Sequence, residues 1–119
     1  SLFIIKNNKR KGKIMKRPQI VQRIAEVIRR VAPDAQTILY GSEARGEARM
    51  DSDIDLLILL EDNGHPVPER EWEITRHLFE VELDTGVIIS PMIMLRKLWE
   101  NRPFQTPFSI NITNEGIAL

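Results

Sequence analysis

The sequence Gly41-Ser42-Glu43-Ala44-Arg45-Gly46, followed after five residues by Ser52-Asp53-Ile54-Asp55-Leu56-Leu57, decides the fold. Before it, Thr37-Ile38-Leu39-Tyr40 predicts a short buried strand that runs into a glycine turn. After the turn we expect a short helix over about residues 42–48 and then a strand over residues 54–60. The second strand is apolar throughout once its aspartates are passed, which is typical of a central strand covered on both faces. The turn and the aspartates therefore lie at neighbouring strand ends.

Helical patterns flank this centre on both sides. Apolar residues between Pro18 and Pro33 recur at three- and four-residue steps and predict an amphipathic helix. A second helix is predicted over residues 68–84, and a further strand over residues 87–91. The expected buried residues of the second helix are Trp72, Leu78, Phe79 and Val81. Alternating helices and strands predict an α/β (α+β) fold, a small mixed sheet flanked by helices.

The C-terminal part of the chain gives weaker signals. Residues 95–99 predict the start of a last helix, which Pro103 stops. Beyond Pro107 the pattern is consistent with either a packed irregular segment or a short helix.

Composition limits the classes of protein that are possible. With 119 residues, 42% of them hydrophobic, the chain suits one compact domain, which we predict over residues 16–119. Seven basic residues between Lys6 and Arg17 predict that residues 1–15 form a poorly ordered basic arm; nucleic-acid binding by this arm is the less favoured alternative. The absence of cysteine excludes a disulfide framework and a thiolate metal site. No apolar run is long enough for a membrane span, and we expect a soluble, cytoplasmic protein.

Gly41 and Ser42 suit a turn that binds phosphate. Glycine lets the backbone turn sharply and approach a ligand closely. The first amides of a following helix lack intrahelical partners and attract phosphate oxygens, and Ser42 can cap that helix and bond a phosphate. Arg45 lies one turn on, within reach of a phosphate or of the loop that holds it, and Gly46 suits a left-handed helix end. An ordinary serine-capped turn explains the same residues, so this half of the stretch does not decide the function alone.

Asp53 and Asp55 suit a metal site. They are two apart on a strand, so both side chains point to the same face while Ile54 points away. Two carboxylates entering an apolar strand repel each other, and a divalent cation removes that cost. A polar strand end emerging into water is the alternative for this half. Together, however, the two halves would bring a cation and a triphosphate to one point, as in-line attack on an α-phosphorus requires.

The motif Gly41-Ser42-x-Ala44-Arg45-Gly46, five residues, then Ser52-Asp53-x-Asp55-Leu56 resembles the signature of the minimal nucleotidyltransferases of the DNA polymerase β-like superfamily. The resemblance covers the chain from about Lys16 to its end. It implies a transferase that moves NMP, most simply AMP, from an NTP to an acceptor hydroxyl, with one or two Mg²⁺ ions. Asp53 and Asp55 would bind metal and act in catalysis with Arg45, while Gly41, Ser42, Arg45 and Ser52 would bind the nucleotide.

The same resemblance implies a protein partner. Small members of the superfamily often pair with a separate all-helical HEPN protein, as antitoxin to toxin, and some transfer AMP onto a tyrosine of that partner. The chain has little material for an acceptor-binding module, so we expect another chain to bring the acceptor. We expect neither nucleic acid nor a membrane as a partner.

One departure from the family pattern stands out. The superfamily supplies a third carboxylate from a later strand, and the corresponding strand here, Val87-Ile88-Ile89-Ser90-Pro91, contains none. Asp84 precedes this strand and would have to swing in to replace it, while Glu82 lies inside the preceding helix. An NTP-binding antitoxin module with impaired catalysis is therefore the alternative to an active enzyme.

Overall fold

The computed structural model describes residues 15–119; residues 1–14, which hold most of the predicted basic arm, lie outside the described residues. Its helices are α1 (Pro18–Val31), α2 (Gly41–Arg45), α3 (Val67–Thr85), α4 (Arg96–Glu100) and α5 (Pro107–Glu115). Its strands are β1 (Gln36–Tyr40), β2 (Ile54–Leu60), β3 (Ile89–Leu95) and β4 (Ile117–Ala118). Met15, which the sequence placed in the arm, is only 2% exposed and packs in the core, so it belongs to the folded domain.

The four strands form one mixed sheet in the order β3-β2-β1-β4. β2 runs parallel to β3, whereas β1 is antiparallel to both β2 and β4. The predicted small mixed sheet flanked by helices is thereby confirmed. Because β2 is an inner strand, its start, which carries the aspartates, is enclosed by a strand on each side.

β2 is apolar because helices cover both faces of the sheet. Side chains alternate between the faces along a strand. On one face Ile54, Leu56 and Ile58 are fully buried in a core that also contains residues of α1 and α3. On the other face Leu57 and Leu59 are buried in a smaller cluster with residues of α4 and α5. The aspartates lie on this second face, where the cover stops short of the strand's start.

α5 is held on the second face by its cap and by aromatic contacts. Ser109 N donates to Thr106 Oγ1 at 3.1 Å and Thr106 N donates to Ser109 Oγ at 2.9 Å, a reciprocal capping box. The ring of Phe108 meets the rings of Tyr40 and Trp99 edge-on, with centroids 5.4 and 6.2 Å apart. Of the two alternatives for the tail, the short helix is therefore correct.

The expected buried face of α3 was partly wrong. Trp72 and Phe79 are 66% and 55% exposed, and the buried residues are Ile74, Leu78 and Val81. The buried three are spaced i, i+4, i+7 and form one stripe. Trp72 and Phe79, seven residues apart, form a second apolar stripe on the opposite side of the helix. Hydrophobicity alone does not tell which of the two stripes is buried.

The predicted end of β3 was also wrong, since the strand passes Pro91 and continues to Leu95. Ile54 N donates to Ile88 O at 2.9 Å, so alternate residues from Ile88 onward direct their backbone groups at β2. Pro91 lies between two of these residues, so its backbone faces the edge of the sheet that has no neighbouring strand. Because the nitrogen of Pro91 points away from β2, its missing hydrogen costs the sheet no hydrogen bond.

Candidate active site

The two aspartates stand where β2 begins, on the open part of the second face. Asp53 immediately precedes the strand and is exposed, while Asp55 is its second residue and is half-buried. The strand register places Asp55 between Tyr40 of β1 and Ser90 of β3. The carboxylate of Asp53 therefore faces solvent, whereas that of Asp55 is half-buried on the face of the sheet.

Gly41 brings the turn directly against Asp55. Its φ of 76° is left-handed, a conformation that glycine adopts at little cost. A Cβ built on this residue would lie only 2.3 Å from Asp55 Oδ2, so no larger residue fits without moving the carboxylate. The turn and the carboxylate, predicted as neighbours from their strand ends, are thus in contact.

The surroundings of Asp55 disfavour its negative charge. Burial raises the pKa of Asp55, the carboxylate of Asp53 raises it further, and Glu115 adds to the same effect, while Arg45 opposes it. Burial and the charge of Asp55 also raise the pKa of Tyr40. Among the described residues, Arg45 only partly offsets these effects on Asp55, so a bound cation would stabilise its charged form.

These residues fit Mg²⁺. The ion prefers oxygen ligands and usually takes one or two carboxylates together with substrate phosphate oxygens. Asp53 and Asp55 supply two carboxylates on one face, and the backbone of Gly41 lies directly against Asp55. Within residues 15–119, no group of three or more acidic, histidine or cysteine side chains is placed to hold a metal ion.

Ser90 occupies the position on β3 that the third acid would need. It is the register partner of Asp55, and its Oγ donates to Asp53 Oδ2 at 3.0 Å. Asp84 does not approach the pair, because its carboxylate is 2.5 Å from Arg23 Nη2 of α1. A neutral hydroxyl thus lies where the family pattern has a third carboxylate.

α2 differs in detail from its prediction. It begins at Gly41, with Tyr40 as the N-cap residue, so the expected capping role of Ser42 was wrong. No hydrogen bond to Ser42 Oγ occurs among the residues that the structure describes, which leaves this hydroxyl available to a ligand. Gly46 ends the helix with φ 72°, the left-handed conformation that was expected.

Arg45 and Ser52, predicted to bind nucleotide, are both engaged within the chain. Arg45 donates from Nε to Glu47 Oε1 at 2.7 Å and from Nη1 to Glu115 Oε2 at 2.8 Å. Ser52 Oγ accepts from Arg49 N at 2.8 Å and closes a turn before Asp53. Arg45 can still turn to a phosphate, since its side chain is 44% exposed. The hydroxyl of Ser52 instead stabilises the turn before Asp53.

Glu43 occupies the variable position of the motif, and the sequence analysis predicted no role for it. Its side chain is fully buried, and it accepts hydrogen bonds from the backbone amides of Lys16 and Arg17 at 2.7 and 3.0 Å. Arg17 Nε also donates to it at 2.6 Å, and Arg17 Nη1 donates to Ser52 O at 2.8 Å. Glu43 therefore ties the start of the domain to α2 and, through Arg17, to the loop before the aspartates.

Residues 21–119 match the family model described as "Nucleotidyltransferase domain". The chain belongs to this family. The match includes every residue of the turn and both aspartates, and membership supports a general nucleotidyl-transferase function. A search of curated proteins found no match to this nucleotidyltransferase domain. Across its described helices, none has the length and apolar character needed to cross a lipid bilayer.

Proposed function

We propose that this nucleotidyltransferase domain transfers AMP from ATP and Mg²⁺ to a hydroxyl group that another protein supplies. The observation that carries the proposal is the contact between the turn and the metal-binding candidate: the backbone of Gly41 lies against the carboxylate of Asp55. A nucleotide bound at the turn would lie beside the aspartates. ATP and cytoplasmic localisation rest on the family resemblance and the composition, so the other three nucleotides belong in the assay.

Asp53 and Asp55 would hold Mg²⁺, and Gly41 and Ser42 would hold the phosphates. The missing side chain of Gly41 allows close approach, and the hydroxyl of Ser42, which forms no hydrogen bond within residues 15–119, can donate to a phosphate oxygen. When bound, Mg²⁺ neutralises phosphate charge and orients the triphosphate for in-line attack. Arg45 lies where it can stabilise negative charge that develops on the phosphates, if it releases Glu47 or Glu115.

The transfer makes one bond and breaks one. The acceptor oxygen forms a bond to the α-phosphorus, and the bond from that phosphorus to the oxygen bridging to the β-phosphate breaks, so pyrophosphate leaves. The hydroxyl proton passes to solvent water, because Ser90 stands beside Asp55 in place of a carboxylate base. Slow turnover follows from this arrangement.

An all-helical HEPN protein, as the family resemblance implies, is the partner that we propose to bring the acceptor hydroxyl. The proposal makes the pair an antitoxin and its toxin, with AMP placed on a tyrosine of the toxin.

The test uses ATP labelled at the α-phosphate, with a candidate HEPN partner, and measures pyrophosphate release and label on the partner. We expect transfer by the wild type and loss of transfer in Asp53→Asn and Asp55→Asn. Asp51→Asn is the matched control, since it removes an exposed carboxylate two residues from Asp53. Absence of transfer by the wild type, or equal transfer by all the variants, contradicts the catalytic proposal.

A second candidate function is favoured by Ser90: nucleotide binding without turnover, in an antitoxin that acts by complex formation. Two carboxylates can hold one cation with a triphosphate, whereas the described residues supply no third ligand for a second metal. Calorimetry separates the candidates. Tight binding of Mg–ATP and of the partner with no pyrophosphate release supports the second.

A further inference from the structure

The outer face of α3 carries a line of exposed apolar side chains, which we define as the α3 stripe: Trp72, Phe79 and Leu83. Their side chains are 66%, 55% and 68% exposed. At 3.6 residues per turn these three positions fall within about 40° of one another and roughly 150° from the buried stripe of the same helix. The stripe is thus separate from the core and faces away from the sheet.

The exposed area of the stripe is as large as the largest apolar patch of a typical monomer. With side-chain areas typical of these residue types, the stripe exposes on the order of 400 Å². Single exposed apolar residues are normal, whereas an apolar surface of this size is often functional, and aromatic residues are enriched at interaction sites. It spans about 17 Å along the helix axis, which corresponds to three turns of an opposing helix.

The border of the stripe is acidic on both sides. Helical geometry places Glu69, Glu73 and Glu80 along one side and Glu71 and Glu82 along the other. α3 as a whole holds six acidic residues and two arginines, although the complete chain is neutral.

Most of this acidic charge is uncompensated. Arg76, beside the stripe, is already paired with Glu73 at 3.0 Å. In the part of the chain that is described, Glu69, Glu71 and Glu80 form no ion pair. Covering the stripe with an uncharged or acidic surface would bury part of this charge without compensation, at a cost in free energy.

Charge complementarity therefore indicates which kind of molecule covers the α3 stripe. A second copy of the same face would bring two acidic borders together, which electrostatic repulsion disfavours. An anionic lipid surface is disfavoured for the same reason. A helix with apolar anchors flanked by lysine or arginine fills the stripe and neutralises both borders. We infer that the α3 stripe is a docking surface for a basic amphipathic helix of a partner protein.

The inference is tested with two synthetic 18-residue peptides that share one leucine stripe. One peptide carries lysines beside the leucines and the other carries glutamates. Binding of each labelled peptide to the full chain is measured by fluorescence anisotropy. We expect the lysine peptide to bind at least tenfold more tightly, with a preference that shrinks as salt is raised.

Variants of the full chain locate the binding. Leu83→Ser should weaken the lysine peptide at least tenfold, and its exposed position makes loss of folding an unexpected outcome. Met50→Ser is the control, because Met50 is 95% exposed on a different part of the surface and should bind like the wild type.

Four results would overturn the inference. The first is equal affinity for the two peptides, and the second is unchanged affinity in Leu83→Ser. The third is a dimer of the wild type that Leu83→Ser converts to monomer, which would make a second copy the occupant. The fourth is a marked gain in affinity on deleting residues 1–14, which would make the chain's own basic segment the occupant. None of these results depends on turnover, so the proposed transferase activity stands or fails separately.

Discussion

Replacing Gly41 with alanine tests the contact on which the proposed site depends. The backbone of Gly41 has φ 76°, where an alanine costs about 1–2 kcal/mol. Its Cβ would lie 2.3 Å from Asp55 Oδ2, roughly 1 Å inside van der Waals contact, and relieving such an overlap costs about 1–3 kcal/mol more. The carboxylate must therefore move by about 1 Å, a displacement that can lower a rate about 100-fold.

Gly86→Ala is the matched control, since Gly86 has φ 74° and no atom within 4 Å of an added Cβ. It should lose only the backbone cost of about 1–2 kcal/mol. The free energy of unfolding is measured by urea denaturation, and the affinity for Mg²⁺ with a non-hydrolysable ATP analogue by calorimetry. We expect Gly41→Ala to be the less stable variant and to lose most of its affinity, while Gly86→Ala keeps it. The reasoning is refuted if the two variants match in both measurements.

Three further predictions concern the same site. The pKa of Asp55 is raised in the folded state, so its negative charge destabilises the fold. The contribution of Asp55 to stability is therefore fully present below the ordinary pKa of 3.8 and is lost as pH rises through the folded pKa. Asp55→Asn should accordingly raise Tm at pH 7 but not at pH 3, and equal Tm shifts at both pH values would contradict this. Ser90→Asp should increase Mn²⁺ affinity in calorimetry and lower Tm without metal, because it adds a third carboxylate beside Asp55; Ser90→Thr should do neither. Glu43→Ala should lower the free energy of unfolding in urea by about 3–5 kcal/mol, because Arg17 is left buried without its counter-charge, while the exposed Glu47→Ala should stay within about 0.5 kcal/mol.

The central elements of the fold could be predicted because their signals are local. β2 has the predicted bounds, since an unbroken apolar run between an aspartate and a polar loop can hardly be placed otherwise. α1 begins at its predicted proline and ends two residues before the other. The outer face of α3 could not be predicted, because Trp72 and Phe79 form a stripe as apolar as the buried one. Which stripe faces the sheet depends on packing with α1 and β3, not on the helix alone.

Some residues of the candidate site could likewise be predicted from local sequence, and others could not. The turn and the two aspartates follow from a motif of fixed spacing. Ser90 does not, because its place beside Asp55 depends on the register of two strands that a 19-residue helix separates in the chain. Glu43 was missed for a related reason: a glutamate in a polar motif is usually exposed, and its burial is caused by Arg17, 26 residues earlier in the chain.

Pro91 has a consequence for how this protein behaves at high concentration. An edge strand with a full row of free backbone donors can template a strand from another molecule and begin aggregation. β3 is an edge strand that carries exposed Met92, yet its outward-facing position 91 has no N–H to offer. Pro91 thus interrupts the row of free backbone donors in the middle of β3 and leaves the hydrogen bonds between β3 and β2 intact. The same proline at which the sequence predicted the end of the strand therefore disfavours pairing of β3 with a strand of another molecule.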